Sequence, residues 1–297
     1  MTGRRAHLDA LAMTVMVGLC ILWGLNQVAA KLANAGISPV MQAGLRSAGA
    51  APLLWAWSAW RGIPLFGRDG TLMAGLAAGL LFAGEFALIF WGLEYTTASR
   101  GVVFLYTAPF VVAVGMHVLV PAERLNRWQT IGLVLAFLGV VAAFAETLAL
   151  PSGQQWLGDS MLLVSAVMWG ATTVLVRVTR LGKASAEKTL FYQLAVSAAL
   201  LPLASLALGE KGFTDPTPLV WALLAWQAVG VAFASYLAWF WLITRYPATK
   251  LSAFSFLTPL FGMVFGAWLL DERITPTLGL AMVLVAAGIW LVNRKKA

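Results

Sequence analysis

Trp23-Gly24-Leu25-Asn26-Gln27-Val28-Ala29-Ala30-Lys31 decides the fold, because it occurs twice. Trp169-Gly170-Ala171-Thr172-Thr173-Val174-Leu175-Val176-Arg177 repeats its order of aromatic residue, glycine, two polar residues and terminal cation. The shift is 146 residues. Both copies set carboxamides or hydroxyls inside a long apolar run, where hydrocarbon offers them no partner. The register continues outward from these copies. At a shift of 150, Pro52 meets Pro202, Phe90-Trp91 meets Phe240-Trp241, Ala98 meets Ala248, Arg100 aligns with Lys250 and Pro109 meets Pro259. At 149, Glu123-Arg124 meets Glu272-Arg273 and Gly139 meets Gly288. Small changes of shift are the short insertions of a diverged duplication.

The chain has 297 residues, of which 61% are hydrophobic and 11% charged. A soluble domain carries about 25% charged residues, so the solvent for this surface is a bilayer. The 14 Trp and 16 Phe suit aromatic belts at its two boundaries. A net charge of +8 would suggest nucleic acid on a soluble protein. Here the cations fall in gaps between apolar runs, so membrane topology accounts for them and no nucleic-acid partner is expected. The single Cys20 allows no internal disulfide and no cysteine zinc site. The run after Arg4 and Arg5 is longer than a signal-peptide core, so it reads as a retained span.

Ten stretches are long and apolar enough to cross: 9–33, 39–60, 71–94, 99–119, 128–147, 158–180, 187–208, 218–243, 249–270 and 276–293. With both termini in the cytoplasm, 15 of the 20 Lys and Arg lie in inside segments and 4 outside; Arg46 lies within a span. Five spans per half is an odd number, so the second half enters the membrane inverted. The expected fold is an all-α integral membrane protein of ten transmembrane helices. Residues 1–147 and 148–297 form two inverted five-helix repeats around one transport path.

Trp-Gly in spans one and six, Pro in spans four and nine, and Glu-Arg after them resemble the drug/metabolite transporter superfamily, EamA type, over essentially the whole chain. Within it the sequence resembles bacterial aromatic amino-acid exporters. The resemblance implies a bacterial inner-membrane protein. It also implies a central cavity lined by spans one, three, four, six, eight and nine, with five and ten peripheral.

The residues themselves point to the same spans. Spans five and ten carry no polar side chain from Ile131 to Ala145 or from Leu278 to Val292. Their Gly132, Gly139, Gly279 and Gly288 permit close helix approach, within a monomer or in a weak dimer. Polar and aromatic candidates for contact with a solute are Trp23, Asn26, Gln27, Glu85, Tyr106, Trp169, Thr172, Thr173, Tyr236, Trp239, Ser255 and Phe256. Each polar one among them has an alternative reading as an interhelical or back-to-helix hydrogen bond. Pro109 and Pro259 interrupt their spans near mid-membrane and are candidate hinges, each freeing a carbonyl at Leu105 or Ser255. Arg46 and Glu85 lie at similar depth, about 10 Å from the outer boundary, and are expected to pair. Lys31 and Arg177 end their spans and read as interfacial anchors.

No buried cationic cluster is available for phosphate, and no phosphate loop for ATP is present. No cofactor or metal is implied. The reading is a secondary transporter for small neutral, zwitterionic or cationic solutes with an apolar part, aromatic amino acids foremost. Amphipathic cationic drugs are the alternative, and a channel or scaffold a more distant one. Two histidines, one cysteine and one deep acid make an enzyme a poor fit.

Overall fold

The fold is taken from a computed structural model, which describes Arg5 and residues 7–145, 153–271 and 277–294. The expected boundary at 147, the Glu272-Arg273 pair and the cations Arg4, Lys295 and Lys296 lie outside these residues. Secondary structure among the described residues is helical apart from one isolated bridge between Ile37 and Phe213.

The first half comprises α1 (Ala10–Ala33), α2 (Pro39–Trp60), α3 (Leu72–Gly92), α4 (Ala98–Leu105), α5 (Ala108–Leu119) and α6 (Arg127–Ala143). The second comprises α7 (Gln155–Val178), α8 (Ala186–Ala207), α9 (Pro218–Trp226), a π-helical segment (Gln227–Ser235), α10 (Tyr236–Arg245), α11 (Ala248–Phe254), α12 (Leu257–Leu270) and α13 (Thr277–Asn293). Local chemistry sets the starts. Asp9 caps α1 by accepting from Ala12 N at 2.9 Å, and Asn126 with Gln129 forms a capping box on α6. Proline opens α2 and α9, where its missing N–H costs nothing.

Among the described residues seven helical runs are long and apolar enough to cross a membrane: Ala10–Ala33, Leu72–Gly92, Arg100–Leu119, Gln155–Val178, Ala186–Ala207, Pro218–Arg245 and Ala248–Leu270. Two shorter apolar helices are α6 and α13. α2 is as long as α8 but is diluted by Gln42, Arg46, Ser47 and Ser58.

The duplication is visible in the packing. α1 packs on α12, α9 and the π segment; α7 packs on α5, α4 and α3. α2 lies against α8, and α6 against α13. Exchanging each helix for its repeat mate turns α1–α12 into α7–α5, α1–α9 into α7–α3 and α7–α4 into the smaller α1–α11 contact, and leaves α2–α8 and α6–α13 unchanged, as a pseudo-two-fold between the halves does.

The repeated Trp-Gly motif acquires a reason here. A Cβ on Gly24 would lie 2.8 Å from the backbone of Gly262, and one on Gly170 would lie 2.5 Å from Val111. Glycine lets α1 seat on α12 and α7 on α5, and the preceding tryptophan then points into the space between the halves.

Gly132, Gly139 and Gly288 are consumed inside the chain, which removes them as a dimer contact. A Cβ on Gly132 would stand 2.6 Å from Gly288 O, and one on Gly288 would stand 2.5 Å from Gly132 O. Gly279 has nothing within 4 Å. Gly288→Leu is therefore expected to lower the thermal unfolding temperature in detergent, at a cost of about 3 kcal/mol or more because backbone cannot yield. Gly279→Leu, measured in parallel, is expected to change little.

Loops gather at two ends. Arg5, segments 7–9, 67–71, 120–129, 177–192 and 243–250 and Arg294 converge at one end, joined by Arg5 N to Arg245 O (3.0 Å), Lys188 Nζ to Gly67 O (2.7 Å) and Gln129 Nε2 to Arg294 O (3.0 Å). Most of the cations lie here. The opposite end carries Lys31, Arg100 and Lys211 and is stitched by Ser38 N to Gly212 O at 2.7 Å. Exposed tryptophans ring both ends, Trp55, Trp60, Trp128 and Trp290 at the basic one and Trp91, Trp156, Trp221 and Trp268 at the other.

At the basic end Asp69 accepts from Thr71 Oγ1 (2.6 Å) and Lys188 Nζ (2.9 Å), and these bonds hold its carboxyl below the usual carboxylate range. A lowered folded pKa means the contact contributes fully above the ordinary value of 3.8 and is lost only as pH falls through the lower folded value. Asp69→Asn is expected to narrow its stability difference from the parent protein between pH 6 and about 2, measured by thermal unfolding at each pH.

Candidate functional site

A cavity lies between the two halves; its empty space, counted out into the open mouth, is about 880 Å³. α1 contributes Trp23, Asn26 and Gln27; α7 contributes their repeat mates Trp169, Thr172 and Thr173. α3 adds Phe82, Glu85, Phe86 and Ile89, and the corresponding stretch of the second half adds Tyr236, Trp239 and Phe240. Arg46 enters from α2, Gln193 from α8, Leu105 and Tyr106 from the end of α4, and Thr258 from α12.

The aromatic wall is ordered by edge contacts. Trp23 meets Tyr236 and Trp239 at centroid distances of 6.4 and 5.8 Å, and Trp169 meets Tyr106 at 5.8 Å. Trp23 Nε1 donates to Ser235 Oγ at 2.9 Å, and Ser235 Oγ donates on to Val231 O at 2.7 Å. Ser235 ends the π segment, and π turns are frequent at functional sites. The polar wall is less settled. Thr172 and Thr173 donate back to Met168 O (2.9 Å) and Trp169 O (3.4 Å), so they face the cavity as acceptors. Buried atoms without a partner among the described residues include Asn26 Oδ1, Gln193 Oε1, Thr258 Oγ1 and Arg46 Nε and Nη2. Buried polar atoms are nearly always bonded. A cluster of orphans around one cavity marks where water or a solute supplies the partners.

Two residues named from the sequence sit elsewhere. Ser255 is fully buried and donates to Ser252 O at 2.7 Å. Phe256 packs behind the wall on Phe110 and Phe137, at 6.5 and 6.2 Å. Both lie in the break between α11 and α12, and the turn there brings Thr258 to the cavity in their place. The breaks themselves fall at Tyr106-Thr107 and Ser255-Phe256, with Pro109 and Pro259 in the first turns of α5 and α12. The carbonyl of Ser255 is not free, since it accepts from Thr258 N at 2.9 Å. Losing the proline N–H has tightened the chain to an i to i+3 bond.

Arg46 and Glu85 share the cavity, 4% and 7% exposed, without forming a direct ion pair. The guanidinium lies 4.2 Å over the Phe86 ring and 6.0 Å from the Tyr236 ring. Arg177 is no surface anchor. It is buried in an ion pair with Glu123, through a 2.6 Å bond from Nε, and donates from Nη1 to Ile243 O at 3.0 Å. Glu123 also accepts from Ala248 N at 2.8 Å, which ties both halves together at the basic end. Lys31 is exposed.

The opposite end has its own lock, which sequence reasoning missed. Asp159 accepts from Arg100 Nη2 at 2.5 Å and Thr96 Oγ1 at 2.7 Å, with both charges buried. At the shift of 150 the mates of Asp159, Thr96 and Arg100 are Asp9, Tyr246 and Lys250. Tyr246 Oη indeed donates to Asp9 at 3.0 Å, and Lys250 Nζ lies 3.0 Å from His7 Nδ1. The signal was there in the repeat register, in acids at positions 9 and 159 that composition alone passes over.

A solved crystal structure superposes with a TM-score of 0.82 over 97% of this chain and 100% of its own, at 18% identity, which speaks to fold alone. Among similar sequences, "Uncharacterized transporter YoaV" of Bacillus subtilis is 24% identical over 278 residues, covering 93% of this chain and 94% of that one. The "Probable amino-acid metabolite efflux pump" of Escherichia coli is 25% identical over 285 residues, 91% of each. An uncharacterized transporter of Archaeoglobus fulgidus is 28% identical over 302 residues, 98% of each. The EamA-like transporter family matches twice, over residues 10–145 and 156–294, once for each half that the packing relates by its two-fold. The chain is a membrane transporter and belongs to the EamA-like transporter family.

Proposed function

We propose that the chain is a secondary transporter that exports small neutral amino acids, aromatic ones foremost, by alternating access between its two halves. The observation that carries this is the cavity itself. It lies on the pseudo-two-fold, its walls come from both repeats, and its aromatic faces and unmet polar atoms suit a solute with a ring and a charged head. The name of the Escherichia coli relative points to the same substrate class.

In this reading the protein crosses the membrane ten times. α4 with α5, α9 with the π segment and α10, and α11 with α12 each make one broken span, and residues 1–147 and 148–297 form inverted repeats. The Lys- and Arg-rich end is cytoplasmic and holds both termini. The membrane is the bacterial inner membrane. Trp23, Asn26, Gln27, Tyr106, Trp169, Thr172, Thr173, Tyr236 and Trp239 contact the solute. The breaks at Pro109 and Pro259 act as hinges, because a helix interrupted at mid-span bends there with least loss of bonding. The Glu123–Arg177 and Asp9–Tyr246 contacts close the cytoplasmic end; Asp159–Arg100 closes the other.

The test is efflux from proteoliposomes loaded with labelled phenylalanine, tryptophan, leucine or threonine. Loss of label well above protein-free vesicles is expected for at least one. The cavity-filling Thr172→Trp is expected to abolish it. Equal rates with and without protein for the whole panel would sink the reading.

A further inference from the structure

We propose that Arg46 is the carboxylate-binding residue of the transport cavity and that Glu85 meets the ammonium of the same solute, so that the site selects zwitterions. This rests on the transporter reading above and adds to it the class of headgroup.

Arg46 is nearly fully buried, lines the cavity, and leaves Nε and Nη2 without partners among the described residues. Those two atoms lie on one edge of the guanidinium, the edge that binds a carboxylate through two parallel bonds. The guanidinium carbon lies 4.2 Å over the Phe86 ring and 6.0 Å from the Tyr236 ring, contacts that offset part of the desolvation, while Nε and Nη2 bond to no described atom. Glu85 faces the same space and is not within ion-pair distance of Arg46. Two further unpaired acceptors, Asn26 Oδ1 and Gln193 Oε1, belong to residues lining the same cavity and are suited to an ammonium. A cavity with one free cation edge and a set of acceptors complements a solute carrying both charges.

The duplication separates this from a packing role. Ser47 and Ser197 fix the register of α2 against α8: each donates to the carbonyl four residues earlier, at 3.0 and 2.7 Å. In that register the mate of Arg46 is Val196, and the mate of Glu85 is Ser235. Val196 packs against Gly79, where a Cβ would approach it at 2.7 Å. The fold builds the same position once with a small apolar side chain, so the helix packing does not call for a cation. The charges belong to one half, as a bound solute with two distinct ends requires.

The experiment is inhibition and exchange in proteoliposomes with matched triplets: phenylalanine, phenethylamine and 3-phenylpropionate; then leucine, isopentylamine and 4-methylpentanoate. The parent protein is expected to exchange the zwitterion of a triplet about tenfold or more faster than its amine or its acid. Arg46→Gln is expected to erase the preference over the amine, and Arg46→Lys to keep it in part. Glu85→Gln is expected to erase the preference over the acid. This comparison of solutes on the parent protein needs no variant to fold. An amine exchanged as fast as its zwitterion by the parent protein would overturn the proposal while leaving a transporter. An unchanged preference in a folded Arg46→Gln would do the same. Exchange of no solute at all would instead bring down the transporter reading on which it rests.

Discussion

Asp159→Ala is expected to destabilise the protein by about 3–5 kcal/mol, because it removes the buried carboxylate that the Arg100 guanidinium grips. Arg100 reaches both carboxylate oxygens through Nε at 3.2 Å and one through Nη2 at 2.5 Å, and both side chains are under a tenth exposed. Taking two charges out of solvent is costly, and the pair roughly offsets that cost only while both members remain. The double variant Asp159→Ala with Arg100→Leu is therefore expected to recover much of the loss. Thermal unfolding in detergent of the single and double variants checks this. A double variant as unstable as the single one would show that the pair does more than neutralise itself. The same two proteins separate stability from transport. If the lock must open in each cycle, the double variant is expected to fold well and yet close poorly at the end opposite the cationic loops.

Glu123→Ala is the second change with a large expected effect, again about 3–5 kcal/mol. Its carboxylate binds Arg177 on α7 and the backbone N–H that opens α11, so one side chain joins three segments of the basic end. Arg177 would keep only Ile243 O while buried at 8% exposure. Beyond stability, the population is expected to shift toward a form open at that end. In a Cys20→Ser background with Thr173→Cys in the cavity wall, a membrane-impermeant maleimide applied from the basic side is expected to label the Glu123→Ala protein faster. Equal labelling rates would separate this contact from gating. Glu123→Gln keeps an acceptor for Ala248 N and is expected to fall between the two.

Helix pitch and the repeat made much of the architecture legible, since apolar runs and a shift of about 150 residues need no tertiary information. The facing of individual side chains was harder to read. On α3 every side of the helix is apolar, so Phe82, Phe86 and Ile89 carried no mark of pointing inward, whereas Glu85 did. At the second break the polar residues Ser252, Ser255 and Thr258 fall on successive turns, and only the tightened turn decides that Thr258 reaches the cavity. Arg177 looked like an end-of-helix anchor because its partner, Glu123, is 54 residues away and comes from the other half. Arg46 and Glu85 were matched by depth along the membrane normal, but depth says nothing about rotation. Their side chains share a cavity without touching. Asp9 and Asp159 were legible in principle, as repeat mates, because the register had already paired Arg100 with Lys250.

Alternating access requires that one cavity between two related halves be exposed to each side in turn. Trans-stimulation tests it most directly. Protein in liposomes takes up a trace of labelled solute, with the same unlabelled solute either inside or absent. A carrier returns loaded faster than empty or exchanges where net flux is limited, so uptake is expected to rise several-fold with solute on the far side. Uptake indifferent to the far side would contradict alternating access and describe a channel instead.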